Sequence, residues 1–204
     1  RLVDASIVFV SWMTGARPSA MSFSISRMTV GVWVLVMIWL PLGRFRPLHK
    51  MQRVEIFVGI TLSLLFINLV KRFSLTSCPW DLAEFGGVAR YVSHWQWGMG
   101  DGGGGQCFPG GHASSAMAFL ALSLPWLSSG ITAQRRQGWR MLIVVFALGL
   151  VLGGVQTLRG AHYPSHTAWT AVVCAAAAWA NHGLFLAGAK WRQVKAASRT
   201  PIGP

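Results

Sequence analysis

Five stretches of this 204-residue chain are apolar and almost free of charge, and they limit the possible folds more than any other feature. They cover residues 30–42, 54–70, 113–127, 141–155 and 168–187. A membrane span needs roughly 20 consecutive apolar residues, and each run approaches that length with its flanks. Residues 2–13 (LVDASIVFVSWM) are apolar but short, which suits a partial first helix or one lying in the interface. A connector bearing Ser, Arg and Pro follows to residue 28. The pattern predicts an all-α, polytopic transmembrane helical bundle of about five to six spans. No tandem repeat divides it, so residues 1–204 read as a single integral-membrane domain.

The charges agree with that reading. Apolar residues make up 53% of the chain and charged ones 11%, with five acidic residues in all. Eleven tryptophans suit an aromatic belt at the lipid–water boundary. A net charge of +13 raises the possibility of nucleic acid binding. The basic residues, however, bunch between the apolar runs, where they act as topology signals. Three such segments fall on one side of the membrane: 43–53, 129–140 and the C-terminal tail. They carry four, three and four basic residues, 11 of the 18 lysines and arginines. Basic loops favour the cytoplasm. The Gly- and Trp-rich loop across residues 71–112 then faces the other side, the periplasm if the membrane is a bacterial inner membrane.

Chemistry concentrates in residues 107–119, CFPGGHASSAMAF. Glycines 110 and 111 precede an apolar helical run. Bare N–H groups at a helix start, with the positive end of its dipole, suit an anion. His112 sits where it could exchange a proton with that anion. Lys71 and the segment QTLRGAHYPSH at 156–166 lie at span ends on the same predicted side.

Together these residues resemble the type-2 phosphatidic acid phosphatase superfamily. That family's first signature is Lys, six residues, Arg-Pro; here Lys71 is followed by six residues and Cys78-Pro79. The second, Pro-Ser-Gly-His, is matched by Pro109-Gly110-Gly111-His112. The third pairs an arginine with a later His and Asp; here Gly160-Ala161-His162-Tyr163-Pro164-Ser165 matches its centre. The resemblance covers residues 54–185 and implies a metal-free, cofactor-free hydrolysis of a phosphate ester. It implies that His162 attacks phosphorus to give a phosphohistidine, and that His112 protonates the leaving oxygen. Lys71 and the amides of Gly110 and Gly111 would hold the phosphate.

The departures from the family pattern fall at three positions. Cys78 and Gln156 stand where the family has arginines, which removes two bidentate phosphate forks. Arg159, three residues after Gln156, is the candidate substitute, with Arg72 and Arg90 behind it. His166 occupies the aspartate position and could accept the His162 N–H bond; Asp81 or Asp101 could instead supply the charge. Cys78 and Cys107 flank the first two motifs on the oxidising side, so a disulfide between them is expected. Trp80, Phe85, Trp95 and Trp97 suit either a lipid entrance or interfacial anchoring, and 98–105 (GMGDGGGG) reads as a lid, a hinge or a plain linker.

The expected function is a membrane phosphatase acting on a phosphomonoester or diphosphate of a lipid at the periplasmic face. By resemblance the substrates are lipid A, undecaprenyl diphosphate, phosphatidic acid or phosphatidylglycerophosphate. Alternatives are a lipid phosphotransferase using the same histidine, or a non-catalytic lipid-binding or transport module on a decayed phosphatase core.

Overall fold

The computed structural model describes residues 50–93, 95–96 and 98–198, all in one compact unit that begins at Lys50. The expectations for residues 2–13, 14–28 and 30–42, and those for Trp97 and for Arg199, the last basic residue of the C-terminal tail, lie outside the described residues.

Three long helices dominate. They are α1 (Lys50–Phe73), α4 (Thr132–Leu158) and α5 (Pro164–Ala197), of 24, 27 and 34 residues. At 1.5 Å per residue they run about 36, 40 and 51 Å, against a hydrocarbon core of roughly 30 Å. All three are long and apolar enough to cross a membrane. Their ends follow local chemistry. Lys71 and Arg72 place positive charge in the last turn of α1, where the helix dipole is negative. Pro164 opens α5 at a position where a missing N–H costs nothing.

Large apolar side chains point outward: Leu65 and Phe66 from α1, Ile143, Val144 and Val151 from α4, Val172, Trp179 and Leu184 from α5. Much of the interior is small or polar, including Ser63, Gln156, Thr167, Thr170, Asn181 and His182. A helix whose exposed face is as apolar as its buried one is suited to lipid rather than water.

The run at 113–127 does not form one regular span. It breaks into α2 (Gly111–Met117), a 3-10 stretch (Ala118–Leu122) and α3 (Leu124–Leu127). The cause is local. The hydroxyls of Ser114, Ser115 and Ser123 bond carbonyls three residues back, at 2.6–2.7 Å, and so tighten the turns. Pro125 then supplies no N–H to continue the ladder. This broken segment lies among α1, α4 and α5, where Ile67, Ala113, Met117, Leu120 and Cys174 form a buried cluster. Close approach depends on two glycines of α4. A Cβ at Gly149 would lie 2.4 Å from Met117 Cγ, and one at Gly153 would lie 2.3 Å from Thr167.

Two expected basic segments are helical rather than loop. Arg135, Arg136 and Arg140 lie in the first turns of α4, and Lys190, Arg192 and Lys195 in the last turns of α5. Gln, Ala, Lys and Arg are strong helix formers, so the helices run past the apolar boundary. No strand occurs among the described residues; one isolated bridge joins Leu82 and Ala89.

Candidate active site

The segment between α1 and α2 is anchored along its length. Gln106 N–H donates to Ser74 O at 2.8 Å, and Cys107 N–H donates to Thr76 O at 2.9 Å. The chain leaving α1 is thereby paired with the chain entering α2. Cys78 and Cys107 are joined in a disulfide, with Cα atoms 5.1 Å apart. Asp101, only 6% exposed, accepts from Ser77 N–H (2.5 Å), Ser77 hydroxyl (2.9 Å) and Gly103 N–H (3.0 Å). Burial pushes its carboxyl up, and the bonds from Ser77 and Gly103 outweigh that and hold it below its ordinary value. Asp101 therefore organises this loop and is not the counter-charge for His162. The glycine-rich stretch 98–105 is likewise pinned at Asp101 and Gly103 rather than running as a plain linker.

The turn before α2 is fixed against α5. Gly110 N–H donates to His166 O at 3.3 Å, and Thr170 hydroxyl donates to Gly110 O at 3.0 Å. One of the two amides expected to hold phosphate is thus already engaged. Gly111, the first residue of α2, has no intrahelical acceptor for its own amide.

His162 lies in the tight turn between α4 and α5. Gln156, itself buried, accepts on its backbone oxygen from Ala161 N–H (2.9 Å) and His162 N–H (3.3 Å). Gly160, at φ +69°, lets the chain reverse, and Trp80 N–H donates to its carbonyl at 3.2 Å. The family's first arginine position is therefore a disulfide that braces this turn, and the second is a buried glutamine at its root.

Three histidines converge. The ring centroids of His112 and His162 are 6.2 Å apart, and those of His162 and His166 are 5.7 Å apart. His162 is 7% exposed, and its pKa is lowered to about 3. Burial is the main cause, followed by the positive charges of Lys71, His166 and His112. Lys71 is thus near enough for its charge to act on His162. The imidazole is neutral at ordinary pH, as a nucleophile must be.

A sulfur lies against His162 Nδ1. Cys107 Sγ lies 3.2 Å from Nδ1 and 3.2 Å from Ala161 O. A disulfide sulfur has no proton to give, so it can at most accept weakly from Nδ1–H. Cys107 thus stands on the Nδ1 side of His162, while the ring of His166 lies 5.7 Å away by centroids. His166 is fully buried and meets the rings of Phe108 (5.3 Å) and Tyr163 (5.1 Å) edge-on. The Tyr163 hydroxyl is buried with no hydrogen-bond partner among the described residues.

Arg159 is half-buried at the C-cap of α4, one turn after Gln156, whereas Arg72 and Arg90 are exposed. Cys78, Cys107 and His162 place one ligand-type atom each within 4.8 Å of one another. With the sulfurs joined, neither cysteine offers the thiolate that metal ligation requires. Sequence reasoning missed the Asp101 anchor and the ring contacts of Phe108 and Tyr163. Both depend on partners distant in the chain, and no local pattern signals them.

No curated protein and no solved structure matches the chain. A family model described as the PAP2 superfamily matches residues 53–188, a stretch holding Lys71, His112 and His162. The chain belongs to the PAP2 superfamily.

Proposed function

We propose that the protein is a membrane lipid phosphatase that works through a phosphohistidine on His162. Membership of the family supports phosphatase-type activity on phosphate esters. The observation that carries the finer reading is a buried, neutral His162 facing His112, with the charge of Lys71 acting on it.

With Nδ1 against the disulfide, Nε2 is the nitrogen that attacks phosphorus. The P–O bond to the leaving group breaks, and His112 gives its proton to the departing oxygen. Water then attacks the phosphohistidine, His112 takes the proton, and inorganic phosphate leaves with His162 restored. Lys71, Arg159 and the Gly111 amide meet charge on the equatorial oxygens, and the Tyr163 hydroxyl is available to one of them. The reading asks for no metal. A phosphate dianion offsets the cationic surroundings of His162, which favours the bound state over the free site.

The apolar outer faces of α1, α4 and α5 support a lipid substrate, and the basic ends of α4 and α5 support a cytoplasmic location for the opposite side. The site then faces the periplasm. The test is release of inorganic phosphate by purified protein from lipid A, undecaprenyl diphosphate and phosphatidic acid, beside His162→Ala. Release that drops on the order of a thousandfold or more in the variant is expected. Equal release from both proteins rules out the phosphatase reading. Loss of lipid phosphate without inorganic phosphate, in the presence of an acceptor lipid, identifies a phosphotransferase.

A further inference from the structure

A second cluster of reactive side chains lies away from the phosphate site and uses none of its residues. Glu55 of α1 is buried, and its Oε1 accepts from His182 Nδ1 at 2.5 Å. The other ring nitrogen, His182 Nε2, stands 2.6 Å from the hydroxyl of Ser128. His182 is buried in α5, and Asn181 beside it donates from Nδ2 to Glu55 O at 2.9 Å, fixing the same helix pair. Ser128, at the C-cap of α3, is exposed.

An ionised glutamate can only accept, so Nδ1 carries the proton and Nε2 is the base that faces the serine. A buried acid, a buried imidazole and an exposed hydroxyl joined in series by two short hydrogen bonds have the geometry of an acid–His–Ser triad. Tying α1 to α5 requires only Glu55 and His182. The bond to Ser128 instead places a surface hydroxyl against the base, where reagents can reach it. We propose that Ser128, His182 and Glu55 form a second site with a serine nucleophile, which takes carboxylic esters of amphiphilic molecules.

Ser128 Oγ attacks the ester carbonyl while its proton passes to His182 Nε2. The imidazolium gives that proton to the departing alkoxide as the C–O bond breaks, leaving an acyl–Ser128. Water, deprotonated by His182, then releases the carboxylic acid and returns the proton to Ser128. Glu55 holds the ring and stays charged throughout. Helix α4 starts at Thr132, four residues after Ser128, and its first-turn amides lack intrahelical acceptors, so they are the available donors for the oxyanion. Ile131 and Trp139, both exposed, give the neighbourhood an apolar surface for an acyl chain.

The test uses the full chain in detergent micelles, treated with a fluorophosphonate probe and mapped by peptide mass spectrometry. Ser128 is expected to be labelled roughly tenfold or more faster than its neighbour Ser129, and His182→Gln to slow that labelling by about a hundredfold or more. Labelling of Ser128 no faster than Ser129 in the wild-type protein overturns the proposal, whatever the variants do. Hydrolysis of p-nitrophenyl butyrate is expected as well, falling roughly tenfold or more in Ser128→Ala. Labelling without that hydrolysis, or hydrolysis that survives in Ser128→Ala, also overturns it.

Discussion

Two histidines on or beside α5 sit in opposite surroundings. His162 has cationic neighbours, a disulfide sulfur against Nδ1 and, among the described residues, no carboxylate bonded to its ring. His182 has Glu55 on one nitrogen and Ser128 on the other. His182 lies 16 residues beyond His166, about 24 Å along the helix, so the two centres are nearly a membrane's thickness apart. The same side chain takes different chemistry from its neighbours. Burial and then nearby cations keep His162 neutral, whereas His182 is held between a carboxylate and a hydroxyl.

Substitutions separate the two histidine centres. The largest effect is expected at His112. If it is the acid opposite His162, His112→Ala lowers kcat for phosphate release by about 10²–10⁴-fold, read in single-turnover assays. Next comes the disulfide, which distinguishes the His162 end from the His182 end. Replacing both Cys78 and Cys107 by serine removes a link across 29 residues and is expected to cost about 3–4 kcal/mol, seen as a lower Tm. Arg159→Ala is expected to weaken kcat/KM by about 10–100-fold, mainly through KM, whereas Arg72→Ala changes it less than about twofold. Equal losses from both would remove Arg159 from the site.

The smallest effect concerns pH. His162 titrates near 3 in the folded chain against 6.5 ordinarily, so the native state binds fewer protons than the unfolded one. Its contribution to stability is full above pH 6.5 and is lost as pH falls toward 3. Tm measured from pH 7.5 down to about 4.5 should therefore fall less steeply in His162→Gln than in the wild-type protein.

Much of the His162 end was legible in the sequence, because its parts lie in short motifs. Lys71, Pro109–His112 and His162 are each local patterns, and the apolar runs at 54–70, 141–155 and 168–187 mark the three long helices. The break in 113–127 was harder to read, since apolar composition outweighs three serines and Pro125 in any window of that length. Asp101 meets Ser77 from 24 residues away, and Glu55 meets His182 from 127 away. Contacts of that separation are set by packing and leave no periodic trace. The Cys78–Cys107 pairing was expected from the flanking positions of the two cysteines and is present, but a motif fixes order along the chain and not which atom faces Nδ1 of His162.

The most direct measurement is to trap the intermediate. Protein turning over a ³²P-labelled lipid phosphate would be quenched in alkali, digested and mapped. An acid-labile, alkali-stable label is expected on the peptide that carries His162 and is expected to be absent from His162→Ala. Steady phosphate release with no label on that peptide, or with the label on another residue, would contradict it.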